Sequence, residues 1–148
     1  MFLIFSLNVE AANDLQTVKD LRKLSQEVET SNLPVLLLFS AEDCDYCDAV
    51  RDNYLLPMIN TGDYATTILF RQLYIDDYSY LRDEKGEMIS GEAMALKYNV
   101  DVTPSILFIN GKGNELSERI IGISNVHYFD ELLSTHISQA TRAMVKTK

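Results

Sequence analysis

An unbroken apolar run, Val35-Leu36-Leu37-Leu38-Phe39, leads through Ser40 and a short polar loop into Cys44-Asp45-Tyr46-Cys47. A run with no polar side to give to water reads as a strand buried on both faces, as in a central position with parallel neighbours. Such a strand needs helices packed above and below it, which commits the chain to α/β layering. Cys44 and Cys47 are the only cysteines in the chain. One pair cannot staple a multi-bridge scaffold, so the chain must stand on its apolar core and the pair is free for chemistry. Two thiols three residues apart, where a strand passes into a helix, suit thiol–disulfide exchange. The first would attack a disulfide and the second, one helical turn on, would resolve the mixed disulfide.

The rest of the chain is consistent with those layers. Leu15, Val18, Leu21, Leu24 and Val28 recur at helical spacing and predict a helix from a cap at Asn13 or Asp14 to about Glu29. A second helix is predicted from near Cys44 towards Ile59, kinked or ended by Pro57. Residues 68–76 and 105–109 read as strands, 77–90 as a polar irregular segment and 92–98 as a short helix. Asn110-Gly111-Lys112-Gly113-Asn114 is a turn, after which residues 115–122 can return as an antiparallel strand. Asn125 is placed to cap a last helix bearing Val126, Phe129, Leu132, Leu133 and His136. His127 and His136 read as surface or satisfied helix residues, and Tyr74, Tyr78 and Tyr80 as core or loop packing. The order gives an α/β sandwich with a mixed sheet and helices on both faces.

At 148 residues this is a single domain, with a formal net charge of -9. That balance argues against nucleic acid and anionic lipid as partners. Phe2-Leu3-Ile4-Phe5-Ser6-Leu7 is apolar and is followed by Val9-Glu10-Ala11, which supplies the small residues a signal peptidase prefers. Residues 1–11 are therefore read as a signal-peptide remnant and 12–148 as the mature domain. This places the protein in the periplasm; the alternative is a short terminal strand in a cytoplasmic protein.

The strand 35–39, the pair Cys44/Cys47, and the stretch Ala95-Leu96-Lys97-Tyr98-Asn99-Val100-Asp101-Val102-Thr103-Pro104-Ser105 together resemble the thioredoxin superfamily. So do the strand 106–109, Gly111-Lys112-Gly113 and Gly122, and the resemblance spans about residues 15–137. Within the superfamily the chain resembles the bacterial periplasmic thioredoxin-related proteins similar to SoxW, with a longer segment, residues 78–94, before the Thr-Pro motif. The resemblance implies a three-layer α/β/α sandwich around a central mixed sheet. It also implies a cis Thr103–Pro104 bond beside the cysteines, where the Thr103 backbone offers an edge to an extended substrate; a trans proline opening a strand is the plain alternative. Thioredoxin itself has Trp-Cys-Gly-Pro-Cys where this chain has Asp43-Cys44-Asp45-Tyr46-Cys47, and no Trp occurs here. The family's buried acid and its lysine partner correspond to Leu38 and Gln72, so that proton relay is absent.

Cys44 is the candidate nucleophile, because a helix N-terminus favours a thiolate. Cys47 is the candidate resolving thiol, and exposed Tyr46 a candidate substrate contact. Glu42, Asp43, Asp45 and Asp48 surround the pair and disfavour the thiolate, which favours a reducing couple. The same acids would also serve as ordinary solvated residues at a helix start. The expected activity is reduction of disulfides in protein substrates by a monomer without organic cofactor or metal. The resemblance implies that electrons come from an upstream dithiol protein such as a membrane thiol transporter. The alternatives are an oxidant or isomerase on the same fold, zinc binding through the two cysteines, or a redox-inactive binding module.

Overall fold

The computed structural model describes residues 14–76 and 78–146. The segment read as a signal remnant lies outside them. In chain order the elements are β1 (Gln16–Thr17), α1 (Leu21–Ser31), β2 (Val35–Ser40) and α2 (Asp45–Val50). A π-turn (Arg51–Leu55) continues α2 into α3 (Leu56–Thr61), followed by β3 (Leu69–Tyr74). Then come a small hairpin of β4 (Tyr80–Arg82) and β5 (Met88–Ser90), α4 (Gly91–Lys97), β6 (Ser105–Ile109) and β7 (Ile120–Ile121). A 3-10 turn (Val126–Tyr128) leads into α5 (Phe129–Lys146).

The central sheet has the order β1-β3-β2-β6-β7. β2 runs parallel to β3 and antiparallel to β6, so the sheet is mixed and β2 lies at its middle. Every residue of β2 is buried, as a strand covered on both faces requires. Its side chains alternate between two cores. Leu36 and Leu38 join Val50, Leu55, Phe129 and Leu133 under α2, α3 and α5. Val35, Leu37 and Phe39 join Leu24, Val28, Met94 and Ala95 under α1 and α4. This is the thioredoxin-like α/β/α sandwich that the resemblance implied.

Several local expectations are corrected. The first helix starts at Leu21, with the Asp20 carboxylate accepting the Arg22 N–H at 2.9 Å, and residues 16–17 are a strand paired with β3. Leu15 belongs to the core beneath α2 and α5, whereas Val18 belongs to the core beneath α1 and α4. A spacing of three keeps a helix face but reverses a strand face, so the apolar pattern alone fits both. Residues 77–90 contain the β4–β5 hairpin, closed where Asp83 Oδ1 accepts the N–H groups of Lys85 and Glu87, each at 2.9 Å. Only Ile120–Ile121 of the predicted 115–122 strand pairs with β6, apart from a single bridge between Ile109 and Glu115.

Pro57 does not end its helix. The Leu56 N–H reaches back five residues to the Arg51 carbonyl, so the ladder shifts just ahead of the residue that lacks a donor, and helix continues to Thr61. Asn125 caps the 3-10 turn ahead of α5. Tyr78 and Tyr80 are exposed. His136 is buried, stacked on Phe108 with centroids 5.5 Å apart, and its Nδ1 has no hydrogen-bond partner among the described residues.

Candidate functional site

The site forms where β2 and β6 leave the sheet together. Phe39 and Ser105 are the last pair in their register, so the chain going on to Cys44 and the chain arriving from Thr103 emerge side by side. After β2, Asp43 takes a left-handed conformation at φ 53°, one of the few non-glycine side chains that tolerates it. Cys44 is extended and caps α2, its Sγ accepting the Cys47 N–H at 3.2 Å. Cys44 and Cys47 are joined in a disulfide, with Cα atoms 5.2 Å apart. Cys44 is half-buried, whereas Cys47 is 0% exposed. The sulfur that an incoming molecule can reach is therefore the first one.

From the β6 side, the Thr103–Pro104 peptide bond is cis and Pro104 is buried. The Pro104 carbonyl accepts the Gly122 N–H at 2.8 Å, which ties this corner to the end of β7. The Thr103 hydroxyl donates to Cys44 Sγ at 3.6 Å, so the sulfur has two donors aimed at it. The sequence points only to the Thr103 backbone; the hydroxyl contact joins residues 59 apart in the chain and leaves no local signal. Tyr46 stands 69% exposed next to the disulfide, and Val102 is 46% exposed next to Thr103.

Glu42, Asp43, Asp45 and Asp48 are all exposed. Asp48 is paired with Arg51 at 2.9 Å, and Arg51 also holds Asp52 at 2.8 Å. Glu42 is held from the far side of the loop. Its N–H donates to the Asp76 carboxylate at 3.0 Å, and its own carboxylate accepts the Tyr78 hydroxyl at 2.8 Å. Donation to that carboxylate pushes the Tyr78 phenol up to about 12. Asp76 and Tyr78 thus belong to the site's frame. No local motif marks them, because they meet Glu42 across 34 and 36 residues of chain.

Behind the disulfide, Leu38 and Gln72 are register partners in β2 and β3. Leu38 is fully buried. Gln72 Nε2 donates to the Leu15 carbonyl at 3.0 Å and the Thr17 hydroxyl at 3.2 Å, and its Oε1 is enclosed without a partner among the described residues. Neither position offers a carboxylate or an ammonium. The arrangement can exchange a disulfide between Cys44 and an external sulfur, with Cys47 held beneath as the second thiol.

A family model described as a thioredoxin-like domain matches residues 21–137. Among solved structures the chain is similar to thioredoxin f from spinach chloroplast, long form, at 18% identity and TM-score 0.59, covering 88% of each chain. It is also similar to oxidised thioredoxin O2 from Arabidopsis thaliana at 17% identity and TM-score 0.56, covering 83% of this chain and 94% of that one. Oxidised mitochondrial thioredoxin 3 from Saccharomyces cerevisiae aligns at 17% identity and TM-score 0.56, covering 84% and 93% respectively. At such identities these likenesses show the fold. A search of the curated proteins found no match.

Proposed function

We propose that this chain, which belongs to the thioredoxin-like domain family, is a reductant of protein disulfides working through a Cys44/Cys47 dithiol. The domain and its Cys44–Cys47 disulfide support thiol–disulfide exchange as the chemistry. The observation that carries the division of labour is the unequal exposure of the two cysteines, Cys44 half-buried and Cys47 fully enclosed. In the reduced protein the Cys44 thiolate attacks one sulfur of the substrate disulfide, and the other leaves as a thiolate. Cys47 then loses its proton and attacks Cys44 Sγ, releasing the second substrate thiol. Two electrons pass to the substrate, which takes up two protons, and the protein is left with the disulfide described above. A dithiol protein upstream, such as a membrane thiol transporter, would reset it.

Thr103 and Pro104 are assigned to substrate binding, with the Thr103 backbone offering an edge to an extended incoming peptide and Tyr46 packing against it. The reducing direction rests on the carboxylates of Glu42, Asp43, Asp45 and Asp48. They make the Cys44 thiolate a poorer leaving group and so favour reduction of the partner. The periplasmic assignment rests on residues 2–11 and on the likeness to SoxW-like proteins. The long segment of that likeness, residues 78–94, includes the β4–β5 hairpin.

Reduction of insulin disulfides with dithiothreitol as the electron source tests the activity. The proposal expects turnover well above the rate with dithiothreitol alone, lost in Cys44→Ser. No acceleration by the wild-type protein contradicts it.

A further inference from the structure

The stretches hydrogen-bonded around the disulfide carry charge of only one sign, whereas the connection leaving β1, at the edge of the same end of the sheet, holds Lys19 beside Asp20. Four such stretches surround the disulfide: the connections leaving β2 and β3, the one entering β6, and the one leaving β7. They lie within residues 24–50, 72–81, 98–111 and 120–141, and none of these intervals contains a Lys or Arg. The same stretches supply Glu42, Asp43, Asp45, Asp76 and Asp101. The first cation after Cys47 is Arg51, already shared between Asp48 and Asp52. Asp43 and Asp45, the residues on either side of Cys44, are exposed and have no Lys or Arg within salt-bridge distance among the described residues.

Amid this field is the sulfur of half-buried Cys44, and two exposed apolar residues adjoin the site in the chain: Tyr46, between the cysteines, and Val102, beside Thr103. The acids are not themselves a binding site; the disulfide is, and the acids decide what can approach it. A substrate cysteine must bring its neighbouring residues within a few ångströms of Asp43 and Asp45 to let sulfur meet sulfur. Carboxylates on the substrate would meet uncompensated carboxylates there, whereas Lys or Arg would supply the missing cations. One-signed clefts of this kind raise encounter rates with the opposite charge by 10-fold or more at low ionic strength.

Resting on the oxidoreductase reading, we infer that the protein selects disulfides whose cysteines are flanked by basic residues, on a cationic protein or peptide segment. Acidic disulfide substrates, oxidised glutathione included, are disfavoured by the same field.

Single-turnover kinetics tests this without needing the physiological electron donor. The protein is reduced and freed of reductant, then mixed with peptides bearing one internal disulfide flanked by two Lys or by two Glu. Oxidation of Cys44/Cys47 is followed by acid quench, alkylation and mass. Each rate is divided by that of the same peptide with dithiothreitol, a neutral dithiol, to remove intrinsic differences in disulfide reactivity. The expected normalised preference for the Lys peptide is about tenfold at 20 mM salt. It should shrink to about twofold at 0.5 M salt, where screening is strong, and fall likewise at low salt in Asp43→Asn/Asp45→Asn. Equal normalised rates, or a preference indifferent to salt, overturn the selectivity and leave the oxidoreductase reading intact. No oxidation by either peptide overturns that reading, and the selectivity with it.

Discussion

Two electrostatic influences oppose each other at Cys44. Its Sγ receives the Cys47 N–H at 3.2 Å and the Thr103 hydroxyl at 3.6 Å, and both favour a thiolate. The exposed carboxylates of Asp43, Asp45 and Asp48 disfavour it, weakly and in a way that salt attenuates. Changing these three to Asn should therefore make the Cys44 thiol more acidic and the couple more oxidising by roughly 20 mV at low salt. Measuring alkylation rate against pH at two salt concentrations checks the acidity, and an unchanged profile contradicts the argument. The division between the sulfurs gives a second prediction. Cys47→Ser should accumulate a mixed disulfide on Cys44, whereas Cys44→Ser should form none; preferential alkylation of Cys47 in the reduced wild type would reverse the roles. The two cysteines were legible in the sequence because their signal is local, a pair at fixed spacing after an apolar run. Asp76 and Tyr78 were not, because what joins them to Glu42 is the parallel pairing of β2 and β3, which no short pattern contains.

The central strands and the helix bearing the cysteines were readable because their apolar patterns admit one interpretation. β2 and β6 fall where continuous apolar runs put them. The β4–β5 hairpin was hidden because it is held by side-chain hydrogen bonds to backbone rather than by apolar alternation, with only Leu81 of β4 deeply buried. Its return into α4 depends on Gly91, whose N–H donates to the Ser79 carbonyl at 2.6 Å. A Cβ at Gly91 would come within 2.0 Å of the Tyr74 carbonyl oxygen at the end of β3. Gly91→Ala should thus destabilise the fold by about 1–3 kcal/mol, the usual cost of overpacking, as read from the urea midpoint. A midpoint within error of wild type would contradict so close an approach. At the other edge, Asp20 caps α1 and its hydrogen bond to the Arg22 guanidinium holds its carboxyl down at about 2, against 3.8 unperturbed. A folded-state value below the unfolded one contributes stability above 3.8 that is lost as pH falls through about 2. Urea midpoints between pH 5 and 2 should accordingly fall less steeply in Asp20→Asn than in wild type; identical slopes would contradict the assignment.

Over the whole molecule, two apolar cores clamp one mixed sheet, and the reactive pair sits where the middle strand leaves it. The chemistry is thereby anchored just beyond the end of a fully buried strand, and in the proposed selectivity the partner is chosen by the acidic loops beside it. Where the protein works is a separate matter, resting on residues 1–11. Fractionation of cells with N-terminal sequencing should find the mature chain outside the cytoplasm beginning near Ala12; a cytoplasmic product retaining residues 2–7 would contradict that placement. The central claim concerns the direction in which the Cys44/Cys47 couple runs. With the buried acid and lysine of the family replaced by Leu38 and Gln72, that proton relay is missing behind the pair, and the groups around Cys44 are left to tune the potential. Equilibrating the wild-type protein against glutathione buffers of known ratio, with trapping of Cys44 and Cys47, measures that potential directly. The account predicts a value near −270 mV, and one above about −180 mV would contradict it and make the protein an oxidant or isomerase.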